Sequence, residues 1–260
     1  MEFETKVQFL TQPEHNRRTI VISDIHGHRA WLEKLLKKVD FSEKDILIIV
    51  GDMIEKGPES LNTIRYIMEL CEKYTVYPMM GNVDLWRIQM LLTEDGSLDQ
   101  ELYETNERMR QYWKATFFQD FCREAGVSVK TPEEIPAARE AVVAKFQKEL
   151  TFMKELPTIL VTPAFTFVHG GLVHEKLEDN FHLPPFQLLK NDNFINQGKH
   201  FDKYVVVGHW PVCLYRSDIE SSAPYISEEQ KIIAIDGGCG IKRDDQLNAL
   251  IIPDLYSEKT

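Results

Sequence analysis

Six residues of this chain have the types and positions to hold divalent cations: Asp24, His26, Asp52, Asn82, His169 and His209. Two carboxylates, one amide oxygen and three imidazoles form a mixed donor set that suits Mn, Fe or Zn better than Mg alone. Each donor stands just past a short apolar run. Thr19-Ile20-Val21-Ile22-Ser23 precedes Asp24-Ile25-His26-Gly27-His28, and Asp45-Ile46-Leu47-Ile48-Ile49-Val50 precedes Gly51-Asp52. Thr75 to Met80 precedes Gly81-Asn82, Phe165-Thr166-Phe167-Val168 precedes His169-Gly170-Gly171, and Tyr204-Val205-Val206-Val207 precedes Gly208-His209. On an extended backbone, residues two apart share a side, so Asp24 and His26 face one crevice. A single such pair is commonplace as a turn former. Donors repeated at the ends of successive strands point to two cations, with positions left open for water and substrate.

The runs are short, β-branched and continuously apolar, as interior strands are, and open α/β sheets gather their ligands at such strand ends. Between the first two, Leu32, Leu35, Leu36 and Val39 recur with the period of an amphipathic helix. After the second, Leu61, Ile64, Met68 and Cys71 do the same. Strand-helix units in series predict a βαβ-built sheet. The stretch from about 93 to 156 changes character: Trp113, Phe117 and Phe121 predict one helical stripe and Val143, Phe146 and Leu150 another, punctuated by Gly126, Pro132 and Pro136. It reads as a helical insertion packed on a single domain spanning 1–260. Lys231 to Ile235 and Leu247 to Ile252 flank a glycine-rich turn and predict an antiparallel return. Met1 to Arg18, with Pro13, reads as a polar lead-in.

The chain carries 30 basic and 41 acidic side chains, a net charge of −11. That balance repels nucleic acid and anionic membranes, and argues against a nuclease with a basic track. Cys71, Cys122, Cys213 and Cys239 form no C-x-x-C pair and read as buried free thiols. No signal-peptide pattern or membrane-length apolar run occurs, so a cytoplasmic location is expected.

In order, Asp24-Ile25-His26-Gly27, Gly51-Asp52, Gly81-Asn82, His169-Gly170-Gly171 and Gly208-His209 resemble the signature of the calcineurin-like metallophosphoesterases. Gly51-Asp52-Met53-Ile54-Glu55-Lys56-Gly57 is similar to the G-D-x-V-D-R-G of the phosphoprotein phosphatase branch, whose bacterial relatives include bis(5′-nucleosyl)-tetraphosphatases. Ile235-Asp236-Gly237-Gly238-Cys239 and Leu247-Asn248-Ala249-Leu250 resemble the closing segment of the bacterial members. The likeness runs from Thr19 to Ile252 and skips the insertion. It implies a four-layer αββα sandwich in which Asp52 bridges two metals, Mn foremost with Fe or Zn as alternatives. Asp24 and His26 would complete one metal and Asn82, His169 and His209 the other. A bridging hydroxide would then attack phosphorus in line. The implied activity is hydrolysis of a phosphomonoester, as in serine/threonine phosphatases, on a phosphoprotein, nucleotide or small phosphoester. A dinucleotide polyphosphate hydrolase and a catalytically weakened phosphate-binding protein are the alternatives.

Two departures bear on chemistry. Val83 stands where the family's G-N-H-D/E places the His usually assigned as general acid, which leaves Asp84, His28 and His174 as candidate donors. Losing a proton donor costs about 10²- to 10⁴-fold, least for acidic leaving groups. Lys56 replaces a phosphate-gripping Arg, keeping the charge without the bidentate fork. Lys56 and Asn82 are the expected substrate contacts.

Overall fold

The computed structural model describes residues 3–11, 16–113, 115–216, 221–241 and 246–257. Of the lead-in, residues 12–15, Pro13 among them, lie outside the described residues. Val7–Phe9, however, forms a strand, β1. Then come β2 (Thr19–Ile22), α1 (Arg29–Lys38), β3 (Ile46–Ile49), α2 (Ser60–Lys73) and β4 (Thr75–Pro78). β2, β3 and β4 are parallel neighbours, as two crossover helices demand. A helical tract follows: α3 (Asn82–Leu92), α4 (Asp99–Trp113), α5 (Phe117–Ala125), α6 (Ile135–Lys145) and α7 (Gln147–Lys154). The chain then returns to strands with β5 (Ile159–Val161), β6 (Phe165–Val168), a short α8 (Pro185–Leu189), β7 (Tyr204–Val207), β8 (Tyr225–Ser227), β9 (Ile232–Ala234) and β10 (Leu250–Ile252).

These strands make two sheets, ordered β10-β2-β3-β4 and β1-β5-β6-β7-β9-β8. The period-2 alternation sorts their side chains into layers. Val21, Ile46 and Ile48 of the smaller sheet meet Phe165, Phe167, Val206 and Ile233 of the larger one. Ile20, Ile22, Leu47 and Ile49 face the helices instead. Val205, Val207 and Ile232 pack beneath α8 and its neighbouring turns. The result is the α/β sandwich expected, two sheets flanked by helices, with one helical layer thick and the other thin. Among the described residues no helix is long and apolar enough to cross a membrane.

Several local expectations need correction. The aromatic stripe is not one helix: α4 ends at Trp113 and α5 begins after Thr116, whose side chain accepts the Gln119 amide as an N-cap. Phe146 likewise stands between α6 and α7 instead of inside a helix. The anticipated hairpin does not form, because β9 pairs with β7 and β8 whereas β10 crosses to the other sheet and pairs antiparallel with β2. On α2 the fully buried stripe is Leu61, Ile64, Ile67 and Leu70, with Met68 and Cys71 only partly covered. Cys122 and Cys239 are buried, whereas Cys71 and Cys213 are only half-buried.

Candidate metal centre

The parallel pairing of β2 and β3 continues past both strands. Asp24 N–H donates to Gly51 O (3.1 Å), His26 N–H to Asp52 O (2.9 Å) and Gly27 N–H to Met53 O (2.8 Å). Two loops that would diverge are thereby zipped together with their acidic residues adjacent. Around the centre, Asp24, His26, Asp52, Glu55, Lys56 and His209 lie at positive φ, between +49° and +72°. Left-handed backbone costs a non-glycine residue about 1–3 kcal/mol, and it persists where the surroundings enforce it, above all at functional sites. Close approach adds a further demand at Gly81 and Gly208. A Cβ at Gly81 would collide with the Asp52 amide and carboxylate, and one at Gly208 with Ser23 and the Asp24 carboxylate.

Five of the expected donors converge closely. His26 Nε2 lies 3.8 Å from Asp24 Oδ1 and 3.6 Å from Asp52 Oδ2. On the other side of Asp52, His169 Nε2 lies 3.3 Å from its Oδ1 and 3.0 Å from Asn82 Oδ1. Two donors each about 2.1 Å from one cation stand about 3.0–3.4 Å apart; the His169 spacings fall in that range and the His26 spacings are a few tenths of an ångström longer. His209 joins less directly. Its ring is 5.4 Å from that of His169, its backbone N–H donates to Asp24 Oδ2 (3.0 Å), and its Nε2 is turned to Asp192 Oδ1 at 2.6 Å, which leaves Nδ1 for a cation.

The chemistry of the donors fits divalent metal. His26 Nδ1 faces Ile54 O (3.2 Å) and His169 Nδ1 faces Val50 O (2.8 Å). A carbonyl only accepts, so each Nδ1 carries a proton and each ring turns its Nε2 inward, the nitrogen that would meet a cation once unprotonated. Asp24 Oδ1 is buried and, among the described residues, finds no hydrogen-bond partner. Four carboxylates, Asp24, Asp52, Asp84 and Asp236, are each at most 3% exposed. Burial opposes charge on His169, but Asp52 and Asp24 outweigh it and raise the imidazole pKa to about 10. Burial also opposes charge on Asp52, yet His169 and His26 hold it well below the usual carboxylate range. Asp24 is pushed well above that range by burial and by Asp236. His26 is lowered to about 3 by burial and then by Lys56. The pocket is short of positive charge.

The remaining candidates stand apart. Lys56 Nζ donates to His26 Nε2 at 2.8 Å, which places an ammonium in front of a donor atom. Asp84 is wholly buried. Its carboxylate accepts N–H groups from Met53 (3.0 Å), Ile54 (3.3 Å) and Gly81 (3.0 Å), and burial followed by Asp52 raises its pKa to about 7. Val83 packs into the apolar cluster under the smaller sheet while its N–H donates to Asp52 Oδ1 (3.0 Å). His28 is stacked on Trp31 at 3.9 Å, with Nδ1 toward Ile25 O (3.2 Å) and Cys239 Sγ (3.6 Å). The contacts described for His174 are backbone ones, to Asn180.

Sequence reasoning missed Asp192 as a partner of His209 and Asp236 as a buried carboxylate of the centre. The Asp-Gly-Gly pattern was a signal for Asp236. Nothing local marks Asp192, which lies 17 residues from the ring it holds.

Two sheets closed over strand-end carboxylates and imidazoles define a metal-dependent phosphoesterase architecture. The family model for calcineurin-like phosphoesterases matches residues 17–229, and the chain belongs to that family. A symmetrical bis(5′-nucleosyl)-tetraphosphatase of Shewanella loihica is 46% identical over 68 residues, 26% of this chain and 24% of that protein. The same enzyme of Coxiella burnetii is 34% identical over 92 residues, 35% and 30% of the two chains. The alignments thus span between a quarter and a third of these relatives' length. Among solved structures, a candidate diadenosine tetraphosphatase superposes with a TM-score of 0.58 at 21% identity, covering 96% of this chain and 94% of that one. A cold-active protein-tyrosine phosphatase of a psychrophilic Shewanella superposes at 0.52 and 14% identity, covering 96% and 78%. At such identities the superpositions speak for the fold.

Proposed function

We propose that the chain is a two-metal phosphohydrolase that favours substrates with acidic leaving groups, phosphoanhydrides of nucleotides foremost. Asp52 would bridge the cations, with Asp24 and His26 holding one and Asn82, His169 and His209 the other. The mixed donors favour Mn, with Fe or Zn as alternatives. When bound, such a pair lowers the pKa of water and offsets charge gathering on phosphoryl oxygens.

The chain's own residues complete the chemistry. The carbonyls of Ile54 and Val50 keep His26 and His169 in the tautomer that offers Nε2. Asp192 orients His209. Lys56 gives its charge to a phosphoryl oxygen entering beside His26, with looser grip than a guanidinium fork. Asp84 is a positioning residue, because its oxygens are already engaged by the amides that shape the Asp52 and Asn82 loops.

The observation that carries this reading is the lack of a proton donor beside Asn82: Val83 is apolar and packed inward, and Asp84 is engaged. An unassisted serine alkoxide leaves poorly, whereas a nucleotide phosphate needs little protonation. The tetraphosphatase relatives add support. With Mn present, kcat/KM on diadenosine tetraphosphate should exceed that on a phosphoserine peptide by about 10²-fold or more, with an aryl phosphate between them. A peptide preferred over the anhydride would instead restore the phosphomonoesterase expected from the sequence resemblance. The second reading, a phosphate-binding protein, draws on Val83 and Lys56 alike; it requires phosphate binding with no turnover of any of the three.

A further inference from the structure

The C-terminal end of α4 lies over the candidate centre. Trp113 Nε1 donates to Gly240 O at 2.8 Å. Gly240 in turn backs onto the phosphate-side residues: a Cβ there would lie 3.0 Å from Lys56 Cδ and 3.8 Å from His26 Cβ. The Trp113 indole is therefore tied to a backbone group one residue's breadth from Lys56. Tyr112 leans against it, ring centroids 5.6 Å apart and tilted by 57°. Tyr112 is 72% exposed, and Ile241, beside Gly240, is 61% exposed. Single exposed apolar side chains are ordinary. Two joined aromatic rings on the rim of the candidate metal centre, beside Lys56, are a different matter.

We propose that Tyr112 and Trp113 form a stacking subsite for the base of a nucleotide whose phosphates reach Lys56 and the metal centre. The subsite rests on the phosphohydrolase reading above and specifies its substrate. A base offers a flat π-face to an aromatic surface, and such stacking tolerates any base. The Trp113 bond to Gly240 fixes the indole before ligand arrives, so little rotamer freedom is lost on binding. Lys56 supplies the charge complement for the attached phosphates. The helical tract that the sequence likeness skips thus contributes one wall of the substrate site.

The test compares ADP with inorganic pyrophosphate, which share the diphosphate and differ by the nucleoside. Dissociation constants are measured by calorimetry on the Mn-loaded chain, for wild type, Tyr112→Ala and Trp113→Phe. The expected result is ADP binding about tenfold tighter than pyrophosphate in wild type, with that ratio falling toward one in Tyr112→Ala and by less in Trp113→Phe, which keeps a ring. Equal affinities in wild type, or a ratio that Tyr112→Ala leaves intact, would overturn the subsite while leaving the phosphohydrolase reading standing. Failure to bind either anion would overturn both. If Tyr112→Ala weakened a phosphoserine peptide but not ADP, the rim would belong to peptide substrates and the proposal would fall.

Discussion

Asp52 sits between the two halves of the centre: His26 lies on one oxygen, His169 and the Val83 amide on the other. An amide in its place keeps the shape but cannot neutralise two cations. Asp52→Asn is expected to lower bound metal from two ions per chain to one or none, and turnover by about 10³-fold or more. Elemental analysis that still finds two tightly held metals, with activity intact, would remove Asp52 from its bridging place. The missing acid gives a second test. Val83→His should raise turnover of phosphoserine peptides by about tenfold while barely altering diadenosine tetraphosphate. An equal gain on both would mean altered binding in place of proton transfer. Asp84 accepts backbone amides and is not free to orient the new imidazole. The candidate donors were legible as a set because they sit just past strand ends. Asp84's role was not, because it depends on which amides a distant loop turns inward.

The loop carrying Lys56 is tied down by a buried ion pair. Glu55 Oε2 meets Arg87 Nε of α3 at 2.6 Å, both side chains at most 2% exposed, while Glu55 Oε1 accepts the Phe117 amide of α5 at 3.3 Å. Removing one partner of such a pair leaves a buried charge uncompensated, at about 3–5 kcal/mol. Arg87→Met should therefore lower unfolding stability by about that amount, measured by urea denaturation. A loss within about 0.5 kcal/mol, as at ordinary surface sites, would show the pair to be idle. The same contacts bear on the helical tract. Phe117, Phe121, Val142, Phe146 and Leu150 share one apolar cluster with Ile20, Ile22, Leu47 and Ile49 of the smaller sheet. We infer that 1–260 folds as one unit, and that excising 98–150 leaves no folded metal-binding core. A soluble excised chain with a cooperative melt would contradict this. Periodicity revealed that the tract is helical but not where it breaks, because the Thr116 cap and the Phe146 junction are set by packing around them. The hairpin expectation failed for a related reason: a glycine turn permits a reversal but does not choose which sheet receives the next strand.

Of the 41 acidic side chains, four carboxylates are buried together at the candidate centre. Elsewhere, Asp45 is a carboxylate matched within the protein. Asp45 accepts from Arg18 (2.7 and 2.8 Å) and from the Ser42 amide (2.8 Å), and the Arg18 hydrogen bond leads in holding its pKa below the usual range. A folded pKa below the unfolded value gives stability that is present above about pH 3.9 and lost as pH falls through the folded pKa. Asp45→Asn should thus lower the urea midpoint at pH 7, with the gap closing as pH drops toward 2. A gap that is constant across that range would mean the pair contributes no charge-dependent stability.

If strand ends from both sheets assemble a two-metal centre around Asp52, as proposed, anomalous scattering from crystals soaked in Mn reads it out. Two peaks about 3.5–4 Å apart are expected, flanking the Asp52 carboxylate, one against Asp24 and His26 and the other against Asn82, His169 and His209. A single peak, or two peaks away from Asp52, would contradict it.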